Sequence, residues 1–175
     1  MIDLVRINII SGNGGNGSVR FRREKFIPKG GPDGGDGGNG GDVYFVGDSS
    51  INTLLSMKYQ RKFVAGNGGV GGGNNRHGAK GRNIFIKVPL GTSVWNLSIE
   101  SEKTLVLDIV DEIPKKLIDG GKGGKGNKRF ATSTNRAPLL SESGVNGTEM
   151  DLELELKILA DVGIVGMPNA GKSTL

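Results

Sequence analysis

Apolar and polar side chains alternate with a period close to two along most of the stretches that carry hydrophobic residues. These are "IDLVRINII" (2–10), "SVRFRRE" (18–24), "DVYFVGD" (42–48), "NIFIKVPLGTSVW" (83–95), "TLVLDIV" (104–110) and "DLELELKIL" (151–159). Alternation of this kind is the pattern of half-buried strands, so each stretch is predicted to be one. Residues 53–64, "TLLSMKYQRKFV", fit either a helix or a strand, and a turn followed by a strand is the preferred reading. No segment carries a long helical period. Up to about residue 159 the chain reads as all-β. The pattern then changes to a continuous apolar run, "ADVGIVG" (160–166), as in a strand buried on both faces. The expected organisation is a first domain over 1–159 and the opening of an α/β domain over 160–175.

Glycine runs separate the strands. They read "SGNGGNGS" (11–18), "GGPDGGDGGNGGD" (30–42), "GNGGVGGG" (66–73) and "GGKGGKGN" (120–127). Glycine falls at 31, 34, 37 and 40, and the next column holds Pro32, Gly35, Gly38 and Gly41. The third column is Asp33, Asp36, Asn39 and Asp42. The run at 120–128 repeats the plan with Lys122, Lys125 and Lys128 in its third column. A flexible tether needs glycine but no period. Three residues per turn is the period of polyproline II, and two bare faces let such helices pack backbone to backbone. The runs are therefore expected to form an ordered bundle on a β base, with the third column presented outward.

Composition narrows the chemistry. The 175 residues hold 32 glycines and no cysteine, which excludes a disulfide framework and a thiolate metal site. His77 is the only histidine and cannot by itself build a metal cluster or a triad. The opening stretch has neither a basic signal-peptide head nor a run of about 18 apolar residues. A cytoplasmic protein without a membrane span is expected. Net charge is +5, which permits a nucleic-acid partner.

"GMPNAGKS" (166–173) fits G-x-x-x-x-G-K-[ST] and follows an apolar strand. Gly166 and Gly171 permit the tight turn that aims backbone N–H groups at phosphates, with Met167, Pro168, Asn169 and Ala170 between them and Thr174 after the motif. Lys172 neutralises the β- and γ-phosphates, and Ser173 offers its hydroxyl to Mg²⁺. The chain reaches Leu175 before any Mg²⁺-water aspartate, switch threonine or base-specificity motif. Hydrolysis is expected of a longer protein, not of these residues alone.

"FRREKFIPKGGPDGGDGGNGGDV", "IKVPLGT", "GGKGGKGN", "FATSTNRAP" and "LELELKILADVGIVGMPNAGKSTL" together closely resemble the Obg family of ribosome-associated GTPases, over essentially the whole chain. The resemblance implies six polyproline II helices on a β-barrel, followed by a GTPase domain from near Ala160. It implies GTP and GDP as ligands and Mg²⁺ as cofactor. It also implies binding to the rRNA of the large ribosomal subunit in assembly, with N-terminal loops reaching the peptidyl-transferase region. The alarmone ppGpp and stress-signalling proteins are implied as partners of the longer protein, and a monomer is expected. Asn169 is similar to the P-loop asparagine of K⁺-using GTPases, which adds K⁺ to the expected cofactors.

Basic residues flank the glycine runs in three groups. They are Arg20, Arg22, Arg23, Lys25 and Lys29; Arg76, Lys80 and Arg82; and Lys122, Lys125, Lys128, Arg129 and Arg136. Each alone is as readily an ordinary solvated residue. Grouped beside stiff helices they are candidates for phosphate contact. Phe21, Phe26 and Phe130 are read as packing residues. The polar side chains of "KRFATSTNRAPLL" (128–140) suit either RNA or their own turns. The rival reading is a rigid protein-docking or regulatory module of a nucleotide-sensing GTPase, without direct rRNA contact.

Overall fold

The computed structural model describes residues 3–23, 25, 30–97 and 103–157. Among the described residues are eight strands: β1 (Leu4–Ile10), β2 (Val43–Gly47), β3 (Lys62–Val64), β4 (Ile84–Val88), β5 (Thr92–Leu97), β6 (Lys103–Ile109), β7 (Lys115–Ile118) and β8 (Glu149–Leu156). One short helix, α1 (Leu55–Tyr59), precedes β3. The strands form a five-stranded sheet in the order β3-β1-β8-β5-β6 and a three-stranded sheet in the order β4-β2-β7. In β1 and β2 alternation in the sequence becomes alternation in burial, whereas in β8 Glu153 is buried between Leu152 and Leu154. Val5, Ile7 and Ile9 of β1 point inward, as do Val43 and Phe45 of β2 and Leu152, Leu154 and Leu156 of β8. Side chains from both sheets join one hydrophobic cluster. At about 1.5–3 kcal/mol for each fully buried large apolar side chain, that cluster is the main stabilising force of this half.

Several expectations are corrected here. The stretch 83–95 is two strands, because Pro89 and Gly91 break it; Gly91 has φ +82 and donates to the Ile109 carbonyl. Residues 18–23 of the stretch predicted at 18–24 do not form a strand. They make one isolated bridge, Phe21 to Pro32, flanked by bonds from Arg22 N to Gly31 O and from Asp33 N to Arg20 O. The pairing goes no further, because the Asp33 carbonyl, the next acceptor in the ladder, takes the Asn75 N–H at 2.7 Å. Residues 53–64 turn through α1, with Met57 buried, before β3. Strand β7, "KKLI", was not singled out, since two lysines in four residues carry little alternation. The pairings among the described residues give two sheets sharing a core rather than a closed barrel. The boundary at residue 160 lies outside the described residues.

Six strand ends run on into glycine-bearing segments at one end of the sheets: 11–18, 34–42, 66–73, 76–83, 120–127 and 141–148. Their hydrogen bonds recur at every third residue. Gly12, Gly15 and Ser18 donate to Gly41, Gly38 and Gly35; Gly35, Gly38 and Gly41 donate onward to Gly72, Gly69 and Gly66. Gly66, Gly69 and Gly72 then donate to Arg82, Ala79 and Arg76, and Gly121, Gly124 and Asn127 donate to Gly12, Gly15 and Ser18. The period read from the sequence is therefore the period of the cross-links. Side-chain-free contact is required: a Cβ on Gly15 would lie 1.9 Å from the Gly69 carbonyl oxygen. Segments 76–83 and 141–148 were not among the four runs, since each shows the period only in one glycine pair, Gly78 with Gly81 and Gly144 with Gly147.

Candidate nucleic-acid interface

The third column faces outward, as the sequence suggested, with Lys122, Lys125 and Lys128 of the 120–128 run exposed, but in the segments 11–18 and 34–42 it does more than meet solvent. Its Asp and Asn side chains turn onto the neighbouring segment and accept main-chain N–H groups that no carbonyl reaches. Asp42, Asn39 and Asp36 accept from Gly120, Gly123 and Gly126 at 2.8, 2.9 and 2.9 Å. Asn16 and Asn13 accept from Gly144 and Gly147 at 2.9 and 2.7 Å. A short polar side chain thus replaces the missing backbone acceptor. The aspartate row does adjoin the lysine-bearing segment 120–127, but it binds that segment's backbone instead of its lysines.

The remaining carboxylate oxygens take cations. Asp42 Oδ2 accepts from Lys80 Nζ at 3.1 Å, and Asp36 Oδ2 accepts from Arg129 Nε and Nη2 at 3.0 and 2.8 Å. His77 Nδ1 lies 3.6 Å from the same Asp36 oxygen. Burial pushes the Asp36 carboxyl upward, but the Gly126 N–H, the Arg129 guanidinium and the His77 ring together hold it below 3.8. The Gly120 N–H, working against burial and helped by Lys80 and Lys116, holds the Asp42 carboxyl below the same value.

The ends of the segments remote from the sheets are joined by three connections: 19–33, the turn at 74–75, and 128–140. Asn74 and Asn75 both have φ 56, the left-handed conformation that asparagine tolerates best after glycine. Two buried side chains sew the connections together. Asp33 accepts from Asn74 N through Oδ2, and its carbonyl accepts from Asn75 N. Asn127, fully buried, accepts from Gly34 N at 2.9 Å and donates to the carbonyls of Arg20 and Pro138. These bonds tie the described residues of the three connections to one another. Beside this tip Gly34, Gly35, Asp36, Asn75, His77, Lys128 and Arg129 line a depression of about 300 Å³.

A family model of GTP1/OBG proteins matches residues 2–158. The chain belongs to the GTP1/OBG family. Among its curated relatives, the GTPase Obg of Caldanaerobacter subterraneus subsp. tengcongensis is 52% identical over 175 residues, covering 99% of this chain and 41% of that protein. The GTPase Obg of Chloroflexus aurantiacus is 55% identical over 174 residues, 99% of this chain and 39% of that protein. The one from Persephonella marina is 51% identical, covering 99% and 51%. The chain thus spans roughly two fifths to one half of these relatives.

For this GTP1/OBG chain, the cations singled out by sequence fall into three positions. Arg22, Arg23 and Lys25, from the first connection, and Lys128 and Arg136, from the third, are exposed at or near the tip. Arg76 follows the second connection and is also exposed. Lys80 lies part-way down the bundle in its ion pair with Asp42, and Arg82 lies next to the sheets, so neither belongs to the tip. Arg129 is engaged by Asp36. Lys125 lies 3.6 Å from Glu142 on the bundle's flank, with Lys122 exposed beside it. Lys29 and Phe26 lie outside the described residues. So does the whole phosphate loop, Gly166 to Thr174, with the Mg²⁺ and K⁺ expectations attached to Ser173 and Asn169.

Sequence reasoning missed Asp33 and Asn127 as the residues that organise the tip. Asn127 carried a signal, since it stands in a glycine column of the 120–128 repeat. Among the described residues no cluster of three or more His, Cys, Asp or Glu side chains could hold a metal, and no helix is long and apolar enough to cross a membrane.

Proposed function

We propose that this chain is the N-terminal, RNA-contacting part of an Obg-type GTPase that binds the large ribosomal subunit and assists its assembly. The carrying observation is the convergence of three connections, two of them bearing exposed cations, at the end of the glycine bundle farthest from the sheets. In this reading the six segments are polyproline II helices on a β base, a stiff stalk that delivers its tip into a narrow RNA cleft. Gly126, with φ −74 and ψ 164, has that conformation. Lys128, Arg136, Arg23 and Arg76 meet phosphates, and Thr132, Ser133, Thr134 and Asn135 choose among exposed bases. Gly166 to Thr174 hold GTP or GDP in the longer protein, with Lys172 on the terminal phosphates and Ser173 on Mg²⁺, and that protein hydrolyses GTP in the cytoplasm. The nucleotide site is also where ppGpp would compete.

The test uses the full-length protein and purified large subunits, sedimented with a non-hydrolysable GTP analogue across a salt series. Binding through several phosphates falls steeply with salt, with a log–log slope of roughly 0.7–0.9 per contact. Lys128→Glu with Arg136→Glu is expected to weaken binding and to flatten that slope by about 1–2. A folded double variant that sediments like wild type at every salt concentration overturns the tip contact and favours the protein-docking reading. In a separate assay Lys172→Ala is expected to abolish most GTP turnover.

A further inference from the structure

Five Asn-Gly dipeptides lie in the glycine segments: Asn13–Gly14, Asn16–Gly17, Asn39–Gly40, Asn67–Gly68 and Asn146–Gly147. This dipeptide is the most prone of all to spontaneous deamidation, because glycine leaves its own amide nitrogen unhindered. The nitrogen of the glycine attacks Cγ of the asparagine, a C–N bond forms, the carboxamide C–N bond breaks and ammonia leaves. Water then opens the resulting succinimide at either carbonyl, yielding Asp or isoaspartate. The isoaspartate route adds one carbon to the main chain, which a lattice bonded at every third residue cannot absorb.

From this arrangement we infer that the bundle shields four of these sites and leaves Asn146 as the deamidation site of the native protein. In each of the four, both reacting groups are committed elsewhere. The glycine amides of Gly14, Gly17, Gly40 and Gly68 donate to the carbonyls of Val145, Glu142, Gly121 and Asn13, at 2.7–3.0 Å. The carboxamide oxygens of Asn13, Asn16, Asn39 and Asn67 are drawn away onto N–H groups of Gly147, Gly144, Gly123 and Asn13. Succinimide formation there requires two cross-links to break together, so it samples only opened forms of the lattice. Asn146 differs. Its side chain is exposed and makes no hydrogen bond among the described residues. Only its nucleophile is held, by the bond from Gly147 N to Asn13 Oδ1 at 2.7 Å. Asn146 also stands just before the bonds that tie 141–148 to the sheets, Thr148 N to Ser11 Oγ and Ser11 N to Thr148 O. Isoaspartate at 146 would shift Gly147 and Thr148 out of register with Asn13 and Ser11, and so release that segment from its root.

The experiment is ageing of the full-length protein at mildly alkaline pH, native and in urea, with peptide mass mapping of the five sites. In urea all five are expected to deamidate at similar rates. In the native protein Asn146 is expected to lead, with the other four slowed at least about tenfold relative to urea. Native deamidation at Asn13, Asn16, Asn39 or Asn67 as fast as at Asn146 overturns the inference, and so does equal protection of all five. Asn13→Ala frees the Gly147 amide and is expected to speed Asn146 several-fold while Asn39 stays slow. No change at Asn146, or an equal rise at every site, removes Asn13 from the role of its lock.

Discussion

In the sheets, Ile9, Phe45 and Leu154 are fully buried against one another's neighbours; in the glycine segments no hydrophobic side chain is buried at all. The two regions meet at Ser11, Gly66, Asn83, Gly120 and Thr148, yet they are held by different forces. The base is held by apolar area removed from water. The bundle is held by main-chain hydrogen bonds and by asparagine and aspartate oxygens that complete them. What each region tolerates is inverted. The base accepts a changed side chain if volume is kept. The bundle accepts no side chain on most of its glycines, Gly72 and Gly73 excepted, but accepts polar exchange, as the Asp36–Asn39–Asp42 row shows by using both residue types for one task.

The contrast is broken most directly by adding one methyl group. Gly15→Ala puts a Cβ 1.9 Å from a backbone oxygen that cannot swing away. A loss above about 4 kcal/mol, or failure to fold, is expected in chemical denaturation. Removing one methylene from the base, Ile9→Val, should cost only about 0.5–1.5 kcal/mol. If the two costs were equal, the distinction between the regions would collapse.

Next in size is Asn127→Ala, which deprives a buried Gly34 N–H and the Arg20 and Pro138 carbonyls of their partner. About 2–3 kcal/mol is expected, since each orphaned buried group costs about 1–3 kcal/mol. Amide hydrogen exchange should quicken at Gly34 and the tip while β1 and β8 stay protected. Uniform exchange throughout would mean that the bundle does not open separately from the base.

Acid sharpens the comparison further. Asp36 and Asp42 in the bundle are held below 3.8, and Glu153 in the base is held below 4.5 by Lys103, against burial and with help from Arg6. A lowered carboxylate contributes stability that is complete above its unfolded value and is lost as pH falls through the folded one. Melting temperature should therefore be flat above about pH 5 and drop below it. Asp42→Asn keeps the acceptor for Gly120 but removes the titration, so its acid limb should be shallower than that of wild type. The smallest effect belongs to Gly31→Ala, where an added Cβ meets nothing within 4 Å. It should be neutral or stabilise by about 0.4–1 kcal/mol through the unfolded chain. A large loss there would mean that crowding is not what distinguishes the bundle's glycines.

Much of this was legible in the chain. β1 and β2 follow from alternation in "LVRINII" and "VYFVG", because a half-buried strand writes its two faces into sequence, and β6 and β8 were predicted by the same pattern although β6 is largely exposed and β8 also buries Glu153. The period of three in Gly34, Gly37 and Gly40 announced cross-links at that spacing, since only glycine lets two backbones touch. The cations of the connections were visible as charge. Other features were not. The stretch 18–24 alternates like a strand, but the Asp33 carbonyl that would continue its pairing is taken by Asn75, and partners are chosen across the fold. Segment 141–148 needs only two glycines, since its neighbour supplies Asn13 and Asn16 as acceptors.

The sequence by itself determined where side chains must be absent and where they must be apolar, because steric bulk and hydrophobicity are properties of single residues. Tertiary structure alone decided what each polar residue does. Asp36 and Lys125 read equally as solvated surface. Only the lattice shows that one caps the Gly126 amide and binds Arg129, whereas the other lines the flank beside Glu142. A hydrogen bond depends on a second group brought within about 3 Å, and that distance is set by the packing of segments far apart in the chain, 134 residues in the case of Asn13 and Gly147.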